Sequence, residues 1–181
     1  MNVELTTEIR DSLPTALKAY LEHIEKKIGH KVSHDYGTLN ARDIRRYAVA
    51  IDDDNALYHD PDAARQAGYD DLLAPPNMLS AIVDWGAGTF QKDLDPDGTP
   101  SAAAEQLTRK DLKVMGAGEQ MQICRPVTAG TRLLCDEEIT SVELKQGRSG
   151  FLIFTTYRHV FRDAEGNVLN DNHRTILVRE Q

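Results

Sequence analysis

The sequence predicts one α+β domain in which an antiparallel sheet curls round a buried helix. Helical periodicity fills the first half of the chain and extended segments fill the second. One helical segment, Met78 to Ala87, is apolar round most of its circumference and belongs inside the protein. The 181 residues, 40% hydrophobic and 28% charged with a mean hydropathy of −0.48, suffice for one core of ordinary size and would be cramped as two.

In chain order, Leu17, Tyr20, Leu21, Ile24 and Ile28 recur at helical spacing, with Pro14 in the first turn and Gly29 as the stop. Residues 1–29 therefore read as an N-terminal amphipathic helix, set before a single domain over residues 30–181. A second helix is signalled by Asn40 as N-cap, Asp43 near the positive end of the helix dipole, and the stripe Ile44, Tyr47, Ala48, Ile51. It stops in Asp52-Asp53-Asp54-Asn55. A short helix from Pro61 to Ala67 ends at Gly68, and Ala74-Pro75-Pro76-Asn77 opens the apolar helix. Gly88 to Asp111 has no sustained period and reads as a long excursion. About four strands follow: one after Lys113 through Met121 and Ile123, then Thr131–Leu144, Phe151–Phe161 and Val168–Arg179, divided by Gly-containing turns.

Twenty-one basic residues against 29 acidic ones give a net charge of −8, which repels phosphate backbones and anionic lipid surfaces. Nucleic acid and membrane are not expected as partners. The acidic start of the chain lacks the apolar stretch of a signal peptide, so a cytoplasmic protein is expected. Cys124 and Cys135 stand alone, without the spacing of a disulfide framework or a zinc site, and no metal is expected.

Arg45-Arg46-Tyr47-Ala48-Val49-Ala50-Ile51 running into Asp53-Asp54-Asn55-Ala56-Leu57-Tyr58, then Ala63 to Tyr69 and Leu73-Ala74-Pro75-Pro76, form an ordered series. It continues with Val114 to Glu119, Arg125 to Leu133 and Gly147-Arg148-Ser149-Gly150. Together these resemble the MaoC-like hydratase/dehydratase branch of the hot-dog superfamily, of the kind that forms the N-terminal half of fused dehydratases or one subunit of a two-chain enzyme. The resemblance covers roughly residues 28 to 180. It implies a hot-dog fold, an antiparallel sheet wrapped round a long central helix from Pro75 to about Ala87, here with an extra N-terminal helix. It also implies reversible addition of water to a 2-enoyl thioester to give an (R)-3-hydroxyacyl thioester. No cofactor is implied beyond the coenzyme A or acyl carrier protein that carries the substrate. Two such domains pair, either as a homodimer or as a heterodimer with a second MaoC-like chain.

Active hydratases of this family carry an Asp, an Asn two residues on and a His five after the Asp. Counted without gaps, Asp53 and Asn55 match and Tyr58 stands where the His belongs. A phenol titrating near about 10 is a poor substitute for an imidazole near about 6.5. A shifted register pairs Asp54 with His59 and moves Asn55 off its place. Ordinary turn chemistry also accounts for Asp53 and Asn55, since such side chains bond their own backbone. Family members place a Gly at the start of the central helix to present a backbone N–H to the thioester oxygen, and this chain has Asn77. The resemblance makes Asp53, Asn55 and His59 the catalytic candidates and Tyr58, Pro76, Asn77, Met78 and Trp85 the substrate-binding ones, with Trp85 able to line an acyl tunnel or simply fill the core.

Gly116-Ala117-Gly118 lacks the Lys-Ser/Thr of a phosphate loop and reads as a bend where a strand enters the sheet. Arg125 and Arg148 suit coenzyme A phosphates. His159 and His173 read as surface strand histidines. Three functions compete: a subunit of an enoyl-thioester hydratase/dehydratase acting on a bulky or long acyl group, a non-catalytic acyl-thioester-binding subunit, and a thioesterase using Asp84, the one acid within the central helix.

Overall fold

A computed structural model describes residues 7–83, 90–94, 111–148 and 150–180. Asp84, Trp85, the small residues Gly86, Ala87 and Gly88, and most of the excursion that follows lie outside the described residues.

The N-terminal helix expected over residues 1–29 is two helices, α1 (Thr7–Ser12) and α2 (Thr15–Glu25), tied together by the paired bonds from Arg10 to the Glu25 carboxylate, 2.8 and 2.6 Å long. In α2 the stripe Leu17, Tyr20, Leu21 and Ile24 is buried as its spacing predicts. Pro14 is its N-cap rather than a first-turn residue. Ile28 does not belong to that stripe: the helix has ended, Gly29 turns the chain at φ 78° and donates to the Ile139 carbonyl, and Ile28 is 43% exposed. Strand β1 (Lys31–Thr38) was also missed, because its outward-facing and polar residues carry no apolar alternation. Its pairing with β3 creates it, with His34 opposite Cys135, and its Tyr36 ring packs 5.9 Å from Phe161.

Helix α3 (Ala41–Ala50) starts at Asn40, whose side chain accepts from the Asp43 N–H at 3.0 Å, and buries Ile44 and Ala48. The short helices α4 (Ala56–His59) and α5 (Pro61–Gln66) follow, each opened by an Asn or Asp cap. The apolar central helix, α6, is described over Met78–Ile82. Strands β2 (Leu112–Ile123), β3 (Arg132–Gly147), β4 (Gly150–Arg162) and β5 (Val168–Glu180) agree with the sequence segments to within a few residues. Among the described residues five strands form one antiparallel sheet in the order β1-β3-β4-β5-β2, one more than expected. The Gly116-Ala117-Gly118 segment lies inside β2 as a bulge, with Gly118 at φ 135°, a backbone only glycine adopts cheaply.

One face of the sheet carries two apolar layers. At one end Leu133, Cys135 and Phe161 pack under Met78, Leu79 and Ile82 of α6 and Ile44 and Ala48 of α3. At the other end Ile139, Leu144, Ile153 and Val178 pack under Leu17, Leu21 and Ile24 of α2. Tyr20 reaches across to Thr155 at 3.2 Å, which gives the fully buried threonine hydroxyl a partner. The sheet round a buried helix is the architecture that the pattern predicts, with α2 covering the rest of the same face.

Candidate functional site

The candidate residues fall in the turn between α3 and α4 and in the segment that opens α6. Helix α3 ends in a Schellman motif: Asp52 adopts φ 57° and donates to Val49, and Asp53 donates to Ala48 at 2.9 Å. The reversal aims the chain so that the Asp53 carboxylate accepts from the Asn55 N–H at 3.1 Å, while the Asn55 side chain accepts from Leu57 at 3.1 Å as the cap of α4. Both side chains are therefore used in turn closure as well as being placed together.

Tyr58 is 7% exposed and packs in the cluster of Leu72, Ala74 and Met78. Burial pushes its phenol above the ordinary value, the nearby Asp53 carboxylate adds to this, and a bond to Asn55 partly offsets it. The phenol is neutral at physiological pH. His59 is half-buried, and its Nε2 stands 2.8 Å from the backbone carbonyl of Asp53. The His59 carbonyl accepts from Arg45 Nε at 3.2 Å. Among the described residues no hydrogen bond or ion pair joins His59 to a carboxylate; its ring closes the turn on the Asp53 carbonyl and its backbone carbonyl is held by Arg45.

This turn is pinned to the start of the central helix, since Leu73 N–H donates to the Leu57 carbonyl at 2.9 Å and Ala74 N–H to Val127 at 2.7 Å. Pro76 and Asn77 are exposed there, and Asn77 has helical dihedrals with its side chain making no cap bond. Met78 is fully buried among apolar side chains, so a ligand would meet it only along the packed face of α6. Trp85 lies outside the described residues. The structure thus brings Asp53, Asn55, Tyr58 and His59 to one turn and sets Pro76, Asn77 and Met78 at the helix that the turn braces.

Two residues near this region, Glu119 and His159, have roles that sequence reasoning missed. Glu119 on β2 accepts hydrogen bonds from Ser80 of α6 and Asn172 of β5, and its charge raises the half-buried Tyr47 phenol, after burial itself. His159 is a correction: it is 3% exposed on the inner face of the sheet, 3.1 Å from Glu137. The two-residue period of β4 carried the signal, since Phe161 points inward and His159 must follow it. His173 stays on the outer face, 3.6 Å from Asp171, and matches the expectation for it. Arg125 lines an open cavity of about 550 Å³ with Thr131 and Arg132, but Asp163 and Glu165 line it as well, which offsets its attraction for phosphate. Burial and the neighbouring acids push the Cys135 thiol up to about 12, so it is an unreactive core residue. Among the described residues no helix is long and apolar enough to cross a membrane.

Residues 26–172 match the family described as the FAS1-like, dehydratase domain region. Among curated proteins the chain is similar to a UPF0336 protein of Mycolicibacterium paratuberculosis, 26% identical over 145 residues that cover 80% of this chain and 82% of that one. It is also similar to UPF0336 protein Franean1_6066 of Parafrankia, 30% identical over 136 residues, covering 75% and 80%. Among solved structures it is similar to the ChsH1-ChsH2 complex from Mycobacterium tuberculosis, with a TM-score of 0.66, 21% identity and coverage of 89% and 91%. The HadBC (3R-hydroxyacyl-ACP dehydratase) complex from the same organism gives a TM-score of 0.59 at 18% identity, covering 81% and 95%. The R-hydratase PhaJ1 from Pseudomonas aeruginosa gives 0.55 at 17%, covering 85% and 83%. A sheet ordered β1-β3-β4-β5-β2 round a buried helix, matched over most of its length to these proteins, makes the chain a member of the FAS1-like dehydratase-region family, with the hot-dog fold of the MaoC-like dehydratases.

Proposed function

We propose that this chain is a subunit of an (R)-specific enoyl-thioester hydratase/dehydratase, working with a second MaoC-like chain that carries the intact Asp, Asn and His. The observation that supports this is the state of the turn: the Asp53 and Asn55 side chains close it, a neutral buried Tyr58 stands at the position where the resemblance puts the imidazole, and His59 bonds the backbone of Asp53. A reaction that delivers the elements of water needs a positioned acid–base group, and the imidazole of this turn, His59, is bonded to a backbone carbonyl rather than to a carboxylate. Its residues instead brace the helix start at Pro76 and Asn77, where a thioester carried by coenzyme A or acyl carrier protein would lie between the two chains.

A dimeric assembly is supported by neighbours that are themselves two-chain complexes. The preference for a bulky or long acyl group is supported by the length of sequence between the central helix and β2, which replaces a short connection. The competing reading, an acyl-thioester-binding subunit with no part in chemistry, draws on the same turn. Co-expression with the intact MaoC-like chain and chiral analysis of the product from a series of 2-enoyl-CoA thioesters separates them. The (R)-3-hydroxyacyl product, formed faster from long than from short thioesters, is expected; no hydration by the assembled complex would overturn the proposal.

A further inference from the structure

Between the two apolar layers on the inner face of the sheet runs one polar row. Strand register sets Glu137, His159 and Asn172 side by side across β3, β4 and β5, with Asn170 two residues further along the same face. The rows on either side are Cys135 with Phe161, and Ile139 with Tyr157. His159, Asn170 and Asn172 are 3%, 2% and 1% exposed, yet among the described residues His159 Nδ1, Asn170 Oδ1 and Asn172 Oδ1 have no hydrogen-bond partner. A buried polar atom is costly to leave unpaired, and Thr155, two residues along β4 beyond Tyr157, is paired in the usual way.

Each of these atoms suits a partner that can both donate and accept. Hydrogen bonding from His159 holds the Glu137 carboxyl below the usual carboxylate range despite the opposing effect of burial, and Nε2 carries the hydrogen of that bond, 3.1 Å from Glu137 Oε2. Asn172 Nδ2 is committed to Glu119, which leaves its carbonyl oxygen facing the row. Two amide oxygens, which accept, and a ring nitrogen lie on the inner face between the two apolar layers, and a hydroxyl, which both donates and accepts, can meet each of them.

We propose that this row is a recognition site for a hydroxyl group carried on an otherwise apolar ligand chain that runs along the inner face of the sheet. The hydroxyl bonds His159 Nδ1 or donates to one of the two amide oxygens, with the apolar residues of the flanking rows beside the chain. The identity of that chain as the acyl part of a thioester rests on the function proposed above; the preference for a hydroxyl does not.

The test is a calorimetric titration with four kinds of probe: dodecanoyl-CoA, its monohydroxylated isomers with the hydroxyl moved along the chain, and the corresponding free acids with and without the hydroxyl. At least one hydroxylated isomer is expected to bind about tenfold tighter than its parent. That ratio should fall to about one in His159→Phe and in Asn170→Leu, each checked for a native circular dichroism spectrum. A hydroxyl preference equal in thioesters and free acids would uphold the row and overturn the thioester reading. Equal binding of every isomer and its parent would overturn the row, as would a ratio that survives in a folded variant, and no binding by any probe would overturn both.

Discussion

His59 closes its turn through the Asp53 carbonyl, which makes it a positioning residue in this account. In the assembled enzyme His59→Ala should leave hydration within a few fold, whereas loss of a general acid or base costs on the order of a hundredfold or more. Steady-state hydration by the purified complex decides this, and a hundredfold fall with assembly intact would make Asp54 and His59 the working pair. At Glu137 the expectation is a pH effect. Its folded value lies below the ordinary 4.5, chiefly through His159, with His34 and Lys27 adding to it. The native state therefore binds fewer protons than the unfolded one, so the stabilisation is present above about 4.5 and is lost as pH falls through the folded value. Melting temperatures measured from about pH 6 to about pH 3 should fall less steeply in Glu137→Gln than in the parent. Equal slopes would mean that the pair contributes nothing to acid stability.

Elements differed in how plainly the sequence announced them. Strands β3, β4 and β5 and helices α3 and α5 were legible because their apolar periods and caps agree, as at Asn40 and Gly68. β1 was hidden because Lys31, Ser33 and Asp35 are what an edge strand needs, and pairing with β3 supplies the rest. The candidate turn was legible only by register; nothing local says that His59 will bond a backbone carbonyl rather than a carboxylate. His159 was readable from the period of β4, but its partners come from β3 and β5, which no single segment reveals. For α2, packing on the same sheet face as α6 implies that it unfolds with the domain. Leu21→Ala, at a fully buried position, should cost about 2–5 kcal/mol, read as a lowered urea midpoint in one transition. A separate early transition for α2, with the sheet unaffected, would show instead that residues 1–29 are an independent appendage.

The whole molecule leaves β2 as an outer strand of the sheet, with Met115 40% and Ile123 55% exposed along it. An uncovered apolar edge favours association, so light scattering should give a mass above the 20.2 kDa of one chain, and Ile123→Lys should shift the balance toward the single chain. A parent protein running only at 20.2 kDa at micromolar concentration would count against pairing. The central claim is that the acid–base pair comes from another chain. It is tested most directly by the hydration rate of a 2-enoyl-CoA measured for this chain alone, for the MaoC-like chain with the intact Asp, Asn and His alone, and for the two together. The account predicts no measurable hydration by this chain alone and the highest rate for the pair, abolished when the His of the second chain is replaced. Hydration by this chain alone at the rate of the pair, lost in His59→Ala, would contradict it.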